Sequence, residues 1–139
     1  MIKLSKMSDH ALVLCSHLSA SSQESRPAAQ WASLSGMPEP TATKILKALC
    51  AGGICESKRG KDGGYRLSKP PAEVSFLHVI EAIDGPVRLS DCSAGALGCV
   101  RVGTCGAGQH VARLGEAIRS SMSGLTIDQI AHKGGKHVK

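Results

Sequence analysis

Three cysteines share one glycine-rich stretch of the 139-residue chain, and their thiols are the side chains best suited to hold a metal group. Six residues separate Cys92 from Cys99, and five separate Cys99 from Cys105. Thiolates are soft donors that suit zinc or iron–sulfur clusters. Zinc sites usually bring cysteine pairs only about two to four residues apart, so this wider spacing favours a cluster. Three thiolates leave one ligand position open.

Two other side chains are candidates for that fourth position. Asp9 lies at the start of a predicted first helix and could arrive from a second subunit, while His110 follows the cysteine-rich stretch. Three free thiols in a loop are the alternative interpretation. The other three cysteines fall in predicted helices and strands, where we expect buried, inert core thiols: Cys15, Cys50 and Cys55.

The positive charge of the chain is concentrated in one segment. The formal net charge is +6, and residues 39–69 hold seven Lys and Arg against three Asp and Glu. Clustered cations of this kind are typical of a partner that bears phosphates. Only three residues are aromatic, which argues against a protein that stacks single-stranded bases on aromatic side chains. The candidate contacts to duplex DNA are Pro40, Thr41, Thr43, Lys44, Lys47, Lys58, Arg59, Lys61 and Arg66.

Apolar spacing and capping residues predict the elements that position these side chains. Helices are predicted from Ser5 or Ser8 to about residue 19, over 28–34, from Thr41 to about residue 51, over 76–84 and over 109–123. Residues 38–40 are predicted to form a stiff turn before the third helix, and a short turn follows the fifth helix through Ile130. Strands over 54–58 and 65–67 flank a glycine-rich turn, which is typical of a tight hairpin.

This order predicts a mainly α fold with a small β-hairpin wing, in which a winged helix-turn-helix domain is followed by a long dimerisation helix. We divide the chain into a DNA-binding domain (1–84), a cysteine-containing loop (85–108), the dimerisation helix with a C-terminal turn (109–131) and a tail (132–139). No run of about 18 apolar residues and no signal peptide is evident, so a cytoplasmic protein without a membrane partner is expected. No set of catalytic residues stands out, so neither an enzyme nor a small-molecule substrate is expected.

Four segments and the cysteine loop resemble the Rrf2 family of bacterial transcription regulators. The segments are LSKMSDHAL from Leu4, PTATKILKALCAGGI from Pro40, RGKDGGYRL from Arg59 and VIEAIDGP from Val79. The similarity covers about residues 1–131 and is greatest to the branch that regulates SUF iron–sulfur cluster assembly. It implies a homodimer built on the helix over 109–123, and a cluster bound by Cys92, Cys99 and Cys105.

The resemblance also bears on the fourth ligand. In IscR-like members, a histidine three residues after the last cysteine completes a [2Fe-2S] site, but Gly108 occupies that position here and His110 does not match. In NsrR-like members, an acidic residue in the first helix of the other subunit completes a [4Fe-4S] site, and Asp9 matches that position. We therefore favour Asp9 in trans and keep His110 as the alternative.

The predicted function is a dimeric, iron–sulfur-cluster-sensing regulator that binds a palindromic operator in double-stranded DNA and represses SUF genes. Three alternatives remain at this stage: a zinc- or thiol-sensing regulator of the same fold, a nitric-oxide-responsive repressor, and an iron–sulfur carrier that does not bind DNA.

Overall fold

The computed structural model describes residues 3–90, 99, 101 and 103–133. Cys92 and nine other residues of the predicted loop over 85–108 lie outside the described residues. The elements in chain order are α1 (Lys6–Ala20), α2 (Ala28–Ser35), α3 (Glu39–Ala51), β1 (Cys55–Lys58), β2 (Gly64–Leu67), a 3₁₀ turn (Pro71–Glu73), α4 (Phe76–Asp84), α5 (Gly108–Ser123) and α6 (Ile127–Lys133).

Serine side chains cap two of the helices, as the sequence predicts. Ser5 accepts a hydrogen bond from the Ser8 backbone N–H at the start of α1, and Ser75 accepts one from the His78 N–H at the start of α4. Such caps satisfy backbone donors that the first helical turn leaves unpaired.

The predicted start of the third helix is wrong by two residues. We expected a stiff turn through residue 40 and a helix that begins at Thr41, but α3 begins at Glu39, with Pro38 as its N-cap. Pro40 therefore lies within the first helical turn. Proline is tolerated there because the N–H that it lacks has no intrahelical acceptor.

One apolar core joins the first four helices to the C-terminal helix. Leu14 and Leu18 of α1, Trp31 of α2 and Ile127 of α6 are fully buried. The apolar stripe of α3, spaced three and four residues apart, faces this core, since all four of its members are inaccessible to solvent: Ala42, Ile45, Leu46 and Leu49. Helix α3 is therefore fixed along one side and presents its other faces to solvent.

The hairpin is a two-stranded antiparallel sheet. Cys55 pairs with Leu67 at its base and Lys58 pairs with Gly64 at its tip. Arg26, in the segment before α2, forms an isolated antiparallel bridge with Tyr65. The hairpin thus borders both α3, from which it emerges, and the beginning of α2.

Helix α5 is much less buried than the helices that precede it. Its sole buried residue is Gly115, and the Leu114 side chain is 56% exposed. It packs against α4, and α6 then returns to the core beside α1. Within the described residues, no helix is both long and apolar enough to span a membrane.

Candidate nucleic-acid interface and cysteine loop

The predicted DNA contacts of α3 lie together on its solvent side. Pro40, Lys44 and Lys47 are exposed, while Thr41 and Thr43 are partly buried. Four of these five residues line one open surface depression, which Glu39 shares. The face therefore carries two cations and two groups, a hydroxyl and a carboxylate, that can hydrogen-bond base edges.

The four predicted wing cations are all exposed, but they differ in their partners. Arg66 on β2 forms an ion pair with Glu56, the residue opposite it on β1. Lys58, Arg59 and Lys61 form no ion pair with any part of the chain that the structure describes. These three side chains are therefore the ones available to DNA phosphates.

A close backbone contact attaches the wing to the beginning of α2. The Tyr65 N–H donates to the Arg26 carbonyl oxygen at 2.8 Å, and the Arg26 N–H donates to the Tyr65 carbonyl oxygen at 3.2 Å. The Trp31 Nε1–H donates to the same Tyr65 oxygen at 2.9 Å. This role of Trp31 was not predicted from the sequence. Its signal was the one indole in an otherwise aliphatic core, because a buried indole N–H requires an acceptor.

The cysteines outside the loop lie in the folded body. Cys15 and Cys55 are buried, and Cys50 is partly buried. Burial raises the pKa of the Cys15 thiol to about 12. Burial also raises the pKa of Cys55, and to a lesser extent the neighbouring Cys15 and Cys50 thiols raise it further. These thiols are protonated at neutral pH, which agrees with the expectation of inert core cysteines.

Two of the three predicted cluster ligands lie in the segment that leads into α5. Cys99 is partly buried and Cys105 is exposed, and both are free thiols. Among residues 3–90, 99, 101 and 103–133, no three His, Cys, Asp or Glu side chains are arranged to hold a metal ion. Cys92 lies outside the described residues, so a site that needs all three thiols stays a prediction. The soft thiol donors at Cys99 and Cys105 fit an iron–sulfur group chemically.

The two candidates for the fourth ligand are exposed in the first turns of different helices. His110 lies in the first turn of α5. Asp9 lies in the first turn of α1, and its backbone N–H donates to the Ser5 carbonyl oxygen at 3.0 Å. Within the described residues, neither side chain forms a three-membered metal-binding group with Cys99 and Cys105. A contribution from Asp9 of a second subunit stays a prediction.

A carboxylate at the end of α4 holds that first turn of α1. Asp84 accepts hydrogen bonds from the Ser5 hydroxyl at 2.8 Å and from the Ser8 hydroxyl at 2.6 Å. Ser8 is the one buried polar residue in the described part of the chain. The role of Asp84 was not predicted from the sequence, because nothing local to its segment indicates a partner about 80 residues earlier.

A second carboxylate of α4 connects the beginning of the loop to α5. Glu81 accepts hydrogen bonds from the Arg119 guanidinium and, at 3.2 Å, from the Val87 backbone N–H. The Arg119 guanidinium also reaches the Val87 carbonyl oxygen at 3.4 Å. The end of α4 is therefore tied to α1 on one side and to α5 on the other.

The chain is similar to known transcription regulators. The family model Rrf2, described as an iron-dependent transcriptional regulator, matches residues 4–133. The chain is 26% identical over 131 residues to the HTH-type transcriptional repressor NsrR of Streptomyces coelicolor, which covers 93% of this chain and 88% of that protein.

Solved structures show the same fold. CymR, the global cysteine regulator of B. subtilis, superposes with a TM-score of 0.75 at 18% identity and covers 95% of this chain and 98% of its own. IscR of T. potens superposes with a TM-score of 0.72 at 16% identity and covers 99% of this chain and 93% of its own. These likenesses confirm the prediction of a mainly helical winged helix-turn-helix fold.

Proposed function

The chain belongs to the Rrf2 family, and from that premise we propose that it senses an iron–sulfur cluster and represses iron–sulfur cluster assembly (SUF) genes. Family membership makes the chain a DNA-binding transcriptional regulator and confirms the prediction that it is not an enzyme. The proposal concerns what it senses and which genes it controls.

The observation that carries the proposal is the division of the cysteines into two sets. Three thiols belong to the folded body, and burial keeps Cys15 and Cys55 protonated. The other set shares one loop, where Cys105 is exposed and Cys99 is partly accessible. Metal ligation requires thiolates that can be reached, so the loop cysteines are the ones suited to iron. We assign Cys92, Cys99 and Cys105 as the thiolate ligands of a [2Fe-2S] or [4Fe-4S] cluster.

Asp9 is proposed as the fourth ligand, contributed by the other subunit of a homodimer. Its helical turn is held by the Ser5 cap and by the Asp84 carboxylate, so the exposed Asp9 side chain extends from a fixed backbone. Anchored ligands of this kind lose little conformational entropy on binding. His110 is the alternative ligand. Homodimerisation is supported by the apolar Leu114 side chain, which lies exposed on α5.

Helix α4 is positioned to relay a change in the loop to the DNA-binding face. Its C-terminal end meets the loop at Val87 and meets α1 through Asp84. Its last turn also lies against the end of α3, where a Cβ added to Gly52 would come within 2.8 Å of the Ala82 Cβ. Such tight packing resists gradual deformation, so a shift of α4 displaces α3 as well. A bound cluster supplies a cross-link among its ligands that oxidants or nitric oxide can break.

A thiol switch is the second candidate function, and the exposed Cys105 thiol favours it. The similarity to the fold of a cysteine regulator is compatible with such a switch. In that case Cys99 and Cys105, together with Cys92, would act as oxidisable thiols without iron. A reversible disulfide formed under peroxide, in protein that takes up neither iron nor sulfide, would identify this function.

The test compares two cysteine variants that remove one thiol each. Cys99→Ala removes a proposed ligand, whereas the control Cys50→Ala removes a partly buried thiol of α3. After anaerobic reconstitution with iron and sulfide, we expect the visible cluster absorption in wild type and Cys50→Ala, and its absence in Cys99→Ala. We also expect the wild type to change its affinity for DNA from its own promoter region between the cluster-loaded and the iron-free forms. Equal absorption in both variants would contradict the ligand assignment.

A further inference from the structure

We propose that Trp31 is a positioning residue for DNA binding, because it fixes the wing relative to α3 and so determines how many wing cations reach the phosphates. It acts with Arg26, Gly64 and Tyr65, and we call these four residues the wing clamp. The inference rests on DNA binding by the chain and does not depend on the identity of the sensed group.

Three hydrogen bonds meet in the wing clamp. The Tyr65 carbonyl oxygen accepts from the Trp31 indole N–H at 2.9 Å and from the Arg26 backbone N–H at 3.2 Å. The Tyr65 N–H returns a bond of 2.8 Å to the Arg26 carbonyl oxygen. One residue of β2 is thereby bonded at both its N–H and its carbonyl oxygen to the segment around the start of α2.

The indole provides the rigid side of this contact. Trp31 is fully inaccessible to solvent and lies in the same apolar core as the buried face of α3. The Arg26 guanidinium lies 5.3 Å from its ring centroid and covers that side of the clamp. A buried indole N–H that lost its acceptor would remain unsatisfied, so the wing is held in the one position that satisfies it.

Gly64 makes the close approach possible. A Cβ at this position would lie 2.3 Å from both the carbonyl carbon and the carbonyl oxygen of Arg26, and 2.8 Å from the Pro27 nitrogen. The atoms in the way are backbone atoms, which cannot rotate aside as a side chain can. The φ angle of Gly64 is also +148°, which side-chain-bearing residues rarely adopt. Only glycine therefore allows β2 to reach Arg26.

The wing clamp adjoins the three wing cations that form no ion pair within the described residues. Lys58 pairs with Gly64 across the hairpin, and Arg59 and Lys61 occupy the turn immediately beyond. A displacement of the strand at Gly64 therefore moves all three cations together relative to α3. Each lysine or arginine that leaves a phosphate lowers the salt dependence of DNA binding, because fewer counterions are released. The salt dependence is thus a direct measure of the position of the wing.

The test uses the full-length protein, a fluorescent mixed-sequence duplex and binding titrations over a range of salt concentrations. Trp31→Phe retains an aromatic ring but removes the indole N–H. A wing-tip variant, Arg59→Ala with Lys61→Ala, removes two cations directly. We expect the wing-tip variant to reduce the log–log salt slope by about 1.8 per protomer, at about 0.9 per phosphate contact. Because Lys58 moves with the tip, we expect Trp31→Phe to reduce the slope by up to about 2.7 per protomer, and by only about 0.9 when it is added to the wing-tip variant.

A stability control separates positioning from general loosening of the fold. Val79→Ala truncates a fully buried side chain of α4, and we expect it to lower the melting temperature without changing the salt slope. An unchanged slope in Trp31→Phe, a reduced slope in Val79→Ala, or fully additive effects of Trp31→Phe and the wing-tip change would each overturn the proposal.

A measurement on the wild type covers the case in which Trp31→Phe does not fold. The chain has a single tryptophan, so its indole N–H gives one resolved nuclear magnetic resonance signal. We expect slow hydrogen exchange at this N–H, both free and bound to the duplex, because it is bonded to the Tyr65 carbonyl oxygen. Exchange as rapid as that of a solvent-exposed indole would overturn the proposal.

Discussion

Alkylation by iodoacetamide should divide the cysteines of the folded protein according to burial. The reagent attacks thiolates, and burial raises the pKa of Cys15 from 9.0 to about 12. At about pH 8, a thiol with a pKa of 9.0 is roughly one-tenth ionised, whereas Cys15 is ionised only to about one ten-thousandth. The smaller thiolate fraction alone therefore slows the alkylation of Cys15 by about 1,000-fold. Steric exclusion slows it further. Cys105 is exposed and should be modified first.

The assay is a time course of alkylation on iron-free protein, followed by digestion and peptide mass spectrometry. Labelling of Cys15 and Cys55 should occur only through opening of the fold, and should therefore accelerate with added denaturant. A parallel sample in concentrated guanidinium serves as the control, and all six cysteines should react there at similar rates. The reasoning would be refuted if Cys15 or Cys55 in the folded protein were labelled as rapidly as Cys105.

Three further predictions concern stability. Because folding raises the pKa of Cys15, its contribution to stability is complete below about pH 9 and is lost as the pH rises toward 12. Cys55, whose pKa burial also raises, adds a decline of its own. In urea unfolding over this range, the free energy of unfolding should therefore fall more steeply in wild type than in Cys15→Ala, by about 1.4 kcal/mol per pH unit, and an identical decline in both proteins would contradict the assignment. Ser8→Ala removes a buried hydroxyl bonded to the α4 carboxylate and should cost about 1–3 kcal/mol. Ser16→Ala, the control, removes a solvent-exposed hydrogen bond to the Val13 carbonyl oxygen of the same helix and should leave the melting temperature nearly unchanged; equal melting temperatures of the two variants would argue against the role of Ser8. Gly52→Ala should lower the free energy of unfolding by about 1–3 kcal/mol, because its added Cβ clashes with Ala82. Adding Ala82→Gly to the same chain should recover most of that stability. If it recovers none, the contact does not limit the packing of α3 on α4.

Local patterns in the sequence predict most of the helices. The apolar spacing that identifies the buried stripe of α3 is a property of residues three or four apart, and the capping serines act on N–H groups three residues away. The start of α3 was mispredicted because a proline can either end an extended turn or occupy the first turn of a helix. The sequence of residues 38–40 permits both, and packing of the stripe on the core selects the helix.

Long-range contacts account for what the sequence analysis missed. The hydrogen bond of Trp31 was not predicted, because its acceptor, the Tyr65 carbonyl oxygen, lies 34 residues away. Asp84 was counted simply as part of α4, because its serine partners lie in α1. The cations of α3 and the wing were found from composition, since charge concentration needs no tertiary information. The ligand set around Cys99 and Cys105 stays a prediction, since it also requires Cys92.

The central claim, that the cysteine loop holds an iron–sulfur cluster, is tested most directly by native mass spectrometry of the wild-type protein after anaerobic reconstitution. The account predicts a dimer that carries equal amounts of iron and inorganic sulfide per protomer, and a dimer of Cys99→Ala, prepared in the same way, that carries neither. Wild-type protein with the mass of the bare polypeptide, or with zinc and no sulfide, would contradict it.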